Sequence, residues 1–408
     1  MFFSNVRKRI AAVIVPAILA TTAGADPASD QERLVAANAG FAFALLEQIA
    51  ASDPAANIFI SPFSVSCALQ MTAAGARGRT AAEMQSVLKT EGWAPDSLPA
   101  AFADLDRRLA AHQEVTLDLA NGLWLQTGLH LQPAFADINR RYFQAGLNEV
   151  NFGDPQSAAA INDWASRQTR GKINQVVQFP FPPQTRLILA NAIYFKGQWA
   201  EPFKQNLTQP RSFELASGKQ KQTPMMVQSG NFQYQQGEDF QAVKLPYNGR
   251  VEMELYLPAT TSDPLKLLPL LSARTKVASG FARREGTVIL PKFKLDYRVL
   301  LNGPLQALGM KSAFGSGADF SGIAKGKLYI SQVLQKSFVD VNEEGTEAAA
   351  VTTVTVRASL ARRSPPDRFS MILDRPFCFL ITDAETGSIL FLGIVNDPAG
   401  EGAGKGDR

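Results

Sequence analysis

The sequence predicts an α+β fold in one large domain, and three observations carry that prediction. Apolar residues recur at helical spacing in the first part of the chain. From Arg186 onward long apolar and β-branched runs take over. Neither an internal repeat nor a linker separates the two regions. Apolar residues make up 46% of 408 and charged residues 19%, enough to bury a large core and too apolar for a disordered chain.

The elements follow in order. Leu34 to Ala50 has the 3.6-residue apolar period of a helix. Ser61-Pro62 starts a second helix, with serine as cap and proline at the first helical position. Thr80 to Leu88 and Leu98 to Ala111 predict two more. Val115 to Gln126 reads as a strand, and Pro133 to Phe143 and Pro155 to Arg170 as helices. Leu187 to Phe195 is nearly all apolar, as expected of a strand covered on both faces. Val251 to Leu257 and Thr287 to Leu290 are shorter strands, Val299 to Leu308 reads as a helix, and Leu328 to Val341 as a long strand. Phe377 to Thr382 and Ile389 to Val395 form a hairpin across Glu385-Thr386-Gly387.

The ends differ from the middle. Arg7, Lys8 and Arg9 precede the apolar run Ile10 to Ala20, and Ala23-Gly24-Ala25 has the small-residue pattern of a cleavage site. Residues 1–25 read as a secretory signal, with the mature chain starting at Asp26 and the domain covering 26–398. A retained anchor is the alternative, which Pro16 disfavours. The 41 basic residues fall to 38 without these three, against 37 acidic, so the basicity belongs to the signal and argues for no nucleic-acid partner. The glycine-rich residues 399–408 read as a disordered tail.

Enzyme chemistry is poorly supported. His112 and His130 lack zinc-ligand spacing, so no metal is expected. Cys67 and Cys378 lie in apolar runs and read as buried free thiols, with a single bridge still open. Ser61 and Ser64 lack a G-x-S-x-G context and read as a cap and a buried hydroxyl. The glycine-rich Phe314 to Ala318 has no G-K-[ST] ending, and no cofactor motif occurs. Asn206-Leu207-Thr208 is a glycosylation sequon.

One segment is out of place. Glu343 to Val356 carries a β-branched second half and no proline, yet charged and flexible sequence surrounds it. With period two, Thr346, Ala348, Ala350, Thr352, Val354 and Val356 share a face that is small or β-branched and uncharged. Such a face suits insertion into the middle of a sheet.

Several motifs occur in order along the chain: Asn57 to Ser64 with Ala68-Leu69, Asn191 to Trp199, and Leu290-Pro291-Lys292-Phe293. Gly317 to Ile323, Val341 to Ala350, Asp374-Arg375-Pro376-Phe377 and Gly393-Ile394-Val395 complete the set. Together, over nearly the whole mature chain, they resemble those of the serpin family. The resemblance implies three β-sheets, about nine helices and an exposed reactive-centre loop near 344–364. It implies suicide-substrate inhibition of a serine, or a cysteine, endopeptidase: the loop is cut and inserts into the main sheet, carrying the protease with it. A non-inhibitory carrier, chaperone or storage role is the alternative.

The same resemblance assigns residues. The hinge is Gly345, Thr346, Glu347, Ala348, Ala349 and Ala350. Lys292 and Glu343 pair at the top of the sheet near Trp199. Ser61, Ser64, Asn191 and Gln335 gate the sheet centre, Gln335 standing where many relatives have histidine. Counting seventeen residues from Glu343 puts the reactive bond at Ser359-Leu360, which suits elastase-like or subtilisin-like proteases; two residues of slack allow Arg357-Ala358, which suits trypsin-like ones. The expected product is a secreted or periplasmic monomer with a tendency to loop–sheet polymers and no membrane contact after signal removal.

Overall fold

The computed structural model describes residues 27–94, 96–111, 114–143, 146–273, 280–346 and 368–398. Helices dominate its first part: α1 Pro27–Ser52, α2 Pro62–Ala73, α3 Gly78–Leu88, α4 Ser97–Ala110, α5 Pro133–Ile138 and α6 Pro155–Gln168. α7 Leu268–Ser272 and α8 Asn302–Ala307 are short. Local chemistry sets their starts. The Ser61 hydroxyl accepts the Ser64 N–H at 3.3 Å, with Pro62 opening α2. Asp154 caps α6 through the Gln156 N–H at 2.9 Å, with Pro155 opening that helix.

α1 is long and apolar enough to cross a bilayer by length and composition. It instead buries Leu34, Phe41, Leu45 and Ile49 in the core, against α2 and α4. The signal sequence read from residues 1–25 lies outside the described residues, as does the tail from 399.

Six strands form one sheet: β2 Val115–Gln126, β3 Gly146–Val150, β4 Leu187–Gln198, β10 Phe293–Leu300, β11 Ile330–Asn342 and β12 Gly345–Thr346. Their order is β10-β11-β12-β4-β2-β3. β4 and β11 run parallel, Leu187 to Tyr194 against Ile330 to Phe338. β4 is covered on both faces. Leu187, Leu189, Ile193 and Phe195 enter the main core, while Ile188, Ala190 and Ala192 pack with Ile161 and Ala165 of α6.

Nine strands form the second sheet: β1 Ile58–Ile60, β5 Gln209–Glu214, β6 Gln220–Gln236, β7 Phe240–Pro246, β8 Val251–Pro258, β9 Ala282–Pro291, β13 Phe369–Ile372, β14 Phe377–Asp383 and β15 Ile389–Val395. The resemblance implies two sheets here. β6 joins them: Met225 to Tyr234 pairs with β9, and Gln233 to Gln236 pairs with β7. β14 and β15 are the expected hairpin. Phe391 meets Phe195 of β4 at 5.7 Å between ring centres, which ties this sheet to the first one within the main core.

One sequence reading is overturned. Val299 to Leu308 is not a single helix: β10 runs to Leu300, and only Asn302–Ala307 is helical. Phe293, Leu295 and Tyr297 point inward while Lys294 and Asp296 are exposed, and this period of two holds the backbone in the sheet through Leu300. Cys67 and Cys378 are both free thiols, the first half-buried and the second buried.

Candidate functional site

Two clusters along the β4–β11 junction bring the sequence-predicted residues together. The first is at the top of the sheet. There β4 and β11 separate, and β12 descends between them after a turn at Glu343-Glu344. β12 is antiparallel to both neighbours: Gly345 faces Gln198 and Asn342, and Thr346 faces Gly197 and Val341. The start of the hinge is therefore already in the sheet, which corrects the expectation of an exposed hinge from Gly345 onward. Glu347, Ala348, Ala349 and Ala350 lie outside the described residues, as do Arg357, Ala358, Ser359 and Leu360.

Gly345 has φ +151°, and a Cβ there would sit 2.1 Å from the Gly197 carbonyl oxygen. Only glycine fits the descent. Thr346 is fully buried, and its hydroxyl meets the Tyr247 hydroxyl at 2.7 Å. Burial pushes the Tyr247 phenol up, so it stays neutral. Tyr247 stacks on Trp199 with 4.3 Å between ring centres.

Trp199 closes the turn from behind. Its indole N–H donates to the Asn342 carbonyl and its backbone N–H to the Glu344 carbonyl, both at 3.0 Å. Phe203 N–H donates to the Glu343 carbonyl at 2.8 Å. Glu343 is buried, with one carboxylate oxygen 2.8 Å from Lys292 Nζ and the other accepting the Thr208 hydroxyl at 2.8 Å. Burial opposes ionisation of Glu343, but Lys292 and Thr208 outweigh it and hold the carboxyl below its usual range. The Lys292 side chain is 40% exposed, so the ion pair contributes at most about 1 kcal/mol. The buried hydrogen bonds to the turn carry more.

The second cluster lies midway down. Asn121 of β2, Asn191 of β4 and Gln335 of β11 form one row across the sheet, Asn121 opposite Asn191 and Asn191 opposite Gln335. The row faces α2. The Ser61 N–H donates to Gln335 Oε1 at 3.0 Å, and Gln335 Nε2 donates to the Ser61 carbonyl at 3.0 Å. Asn121 Oδ1 accepts both the Ser64 hydroxyl at 2.6 Å and Asn191 Nδ2 at 2.5 Å. Ser61, Ser64, Asn191 and Gln335 are fully buried, and Asn191 Oδ1 has no hydrogen-bond partner among the described residues.

Sequence reasoning missed Asn121, Thr208 and Tyr247. Asn121 had a signal, a lone amide inside the apolar run Leu119 to Leu125. Thr208 was noted only as part of a sequon, whose Asn206 is exposed. Among the described residues no group of three His, Cys, Asp or Glu side chains is placed to hold a metal ion.

The family model "Serpin (serine protease inhibitor)" matches residues 36–398. The chain belongs to the serpin family. The leukocyte elastase inhibitor of Bos taurus is 38% identical over 383 residues, covering 90% of this serpin and 100% of the relative. The crystal structure of the thermophilic serpin Tengpin in the native state superposes with a TM-score of 0.82, at 28% identity, covering 89% and 94% of the two chains. Human thyroxine-binding globulin, in complex with its ligand, also gives 0.82, at 26% identity, covering 91% and 100%. The serpin fold thus hosts inhibitory and thyroxine-binding members, and most serpins are protease inhibitors and not enzymes.

Proposed function

We propose that this serpin is an irreversible inhibitor of serine or cysteine endopeptidases that acts by loop cleavage and insertion between β4 and β11. The observation that carries this reading is β12, which is already paired on both sides at the head of that junction. Its register gives the path of the rest. Continuing from Thr346 opposite Gly197 and Val341, Ala348 would meet Phe195, Ala350 would meet Ile193, and Thr352 would enter between Asn191 and Gln335. Val354 and Val356 would follow opposite Leu189 and Leu187. Every one of these is small or β-branched and would face the main core, as Thr346 does now. From Thr346 to Ala358 such a strand spans ~40 Å at ~3.3 Å per residue, the scale of the domain.

In this reading the Lys292–Glu343–Trp199 cluster guards the top of the junction, and the Ser61–Ser64–Asn191–Gln335 cluster guards its centre. Ser359-Leu360 is the proposed reactive bond, with Arg357-Ala358 as the alternative, and elastase-like or subtilisin-like proteases are the proposed targets. The chain would be exported with residues 1–25 removed and act as a monomer folded as one domain over 26–398.

A carrier role is the second reading, supported by the likeness to thyroxine-binding globulin. One experiment separates the two. The mature protein is incubated with elastase, subtilisin and trypsin, the products are run on SDS gels, and the released C-terminal fragment is sequenced. An inhibitor gives an SDS-stable complex and a fragment starting at Leu360 or Ala358. No complex with any of them, and no rise in thermal stability after loop cleavage, favours the carrier.

A further inference from the structure

β7 and β8 are joined by Tyr247 to Arg250, a turn in which the Tyr247 N–H donates to the Val251 carbonyl at 2.9 Å. The turn also straps the end of β4. The Ala200 N–H donates to the Pro246 carbonyl at 2.9 Å, the Asn248 N–H donates to the Gln198 carbonyl at 2.8 Å, and Tyr247 pairs with Trp199 between them. Gln198 is the residue opposite Gly345 of β12, and the Tyr247 hydroxyl meets that of Thr346.

The tip of this turn is Asn248-Gly249. Both residues are exposed, and Gly249 has φ +89°. Neither the Asn248 side-chain amide nor the Gly249 N–H has a hydrogen-bond partner among the described residues. No side chain shields a glycine nitrogen. Such a nitrogen can close a five-membered ring on the asparagine before it.

The other two Asn-Gly pairs of the chain are held in place. Asn121-Gly122 lies inside β2, with Gly122 opposite Ala190 on one side and Gly146 on the other, and Asn121 Oδ1 accepts two hydrogen bonds. Asn302 opens α8 with both ends of its amide bonded. Its Nδ2 donates to the Ser331 carbonyl at 2.8 Å, and its Oδ1 accepts the Val333 N–H at 2.9 Å. Neither side chain is free to turn onto the next nitrogen.

We propose that Asn248 is a site of spontaneous deamidation, and that the isoaspartate formed there releases β12 from the head of the β4–β11 junction. The Gly249 nitrogen loses its proton to hydroxide and bonds to Asn248 Cγ, and the side-chain nitrogen leaves as ammonia. Water then opens the succinimide. Opening at Cγ gives ordinary aspartate. Opening at the main-chain carbonyl gives isoaspartate, in which the chain runs through Cγ and is longer by one carbon, about 1.5 Å. That carbon falls inside the turn closed by Tyr247 and Val251, so the fit of the turn to Gln198 and Trp199 is lost and the Thr346 contact goes with it. Neither step depends on the proposed loop insertion.

The test incubates the mature protein in mildly alkaline buffer and follows the three pairs by peptide mapping, a mass gain of about 1 Da marking conversion. Asn248 is expected to convert at least about tenfold faster than Asn121 or Asn302, whose reacting atoms are held out of line. In urea the three should react alike. Equal rates in the folded protein overturn the site, and an order of rates that persists in urea overturns the role of the fold. Once isoaspartate has formed, the residue 346 amide should exchange several-fold faster than in fresh protein. Asn248→Asp, which has the charge without the extra carbon, and aged Asn248→Gln should both keep the fresh protection. Protection retained in aged wild type, or lost equally in Asn248→Asp, overturns the release of β12 by chain lengthening. The wild-type comparisons stand even if a variant misfolds.

Discussion

Gln335 and Asn191 face each other across the parallel β4–β11 pair, yet each is tied elsewhere. Gln335 makes both of its bonds to the Ser61 backbone, and Asn191 makes its bond to Asn121. At this row the side chains tie the two strands to α2 and β2, and only the backbone ladder joins them to each other. No side-chain bond at this row has to break between the strands for them to part.

Gln335→Ala removes both bonds to Ser61 and leaves the buried Ser61 N–H unpaired, while the Ser61 carbonyl keeps the Val65 N–H. The expected cost is about 2–4 kcal/mol of native stability. A lowered thermal midpoint and faster polymerisation on mild heating, read on native gels, check it; an unchanged midpoint counts against it.

Gly345→Ala places a methyl against the Gly197 carbonyl and demands a backbone region that side chains rarely enter. β12 should leave the sheet, breaking the Thr346–Tyr247 contact. Hydrogen exchange of the residue 346 amide is expected to accelerate, and cleavage of the loop by a non-target protease to quicken. Retained protection at that amide sinks the idea.

Glu343→Lys sets two ammonium groups together where Lys292 and Glu343 now pair at 2.8 Å, in a buried position. We expect the top of the sheet to open and the protein to polymerise well below the wild-type temperature. A monomeric, fully inhibitory variant at elevated temperature would falsify this.

Acid should loosen a separate tie. Glu83 accepts from the Lys311 N–H at 2.9 Å and from the Ser312 N–H at 2.6 Å, and pairs with Arg79 at 2.7 Å. Burial raises its carboxyl, but these donors outweigh it and bring the carboxyl down to about 2. A depressed folded value means the stabilisation is complete above the unfolded value near 4.3 and is lost as pH falls through about 2. Glu83→Gln should be less stable than wild type by about 1–2 kcal/mol at pH 7 and indistinguishable from it near pH 2. A difference that does not shrink in acid contradicts this.

Thr352→Arg places a charge on the face proposed to enter between Asn191 and Gln335, where burial of an unpaired cation is costly. The expected product is cleaved loop with no SDS-stable complex and no gain in thermal stability. Glu347→Gln, on the opposite face, should still form the complex. Complex formation by Thr352→Arg excludes the register.

Much of this was legible in the residues. β4 announces itself because both faces are covered, β2 through the spaced apolar Leu117, Leu119 and Leu123, and the caps at Ser61 and Asp154 are written locally. β5, β6 and β7 were not found. In Gln220–Gln236 exposed glutamines alternate with partly buried positions over a long stretch, so the apolar density never rises. β10 was misread because Val299, Leu300 and Leu301 are apolar under either period. The clusters divided the same way. Motif residues could be named in advance, while Asn121 and Tyr247 owe their place to register and stacking, which only the fold supplies.

The parallel contact between β4 and β11 also bears on how the protein would serve its host. On the proposed mechanism, a strand entering there replaces one parallel junction with two antiparallel ones, adding a row of backbone bonds on each side. The cut ends then sit at opposite poles, and nothing in the folded chain rejoins them. On that mechanism each molecule would act once. The amount of protease silenced would follow the supply of fresh protein, one for one, with no catalytic turnover to amplify it.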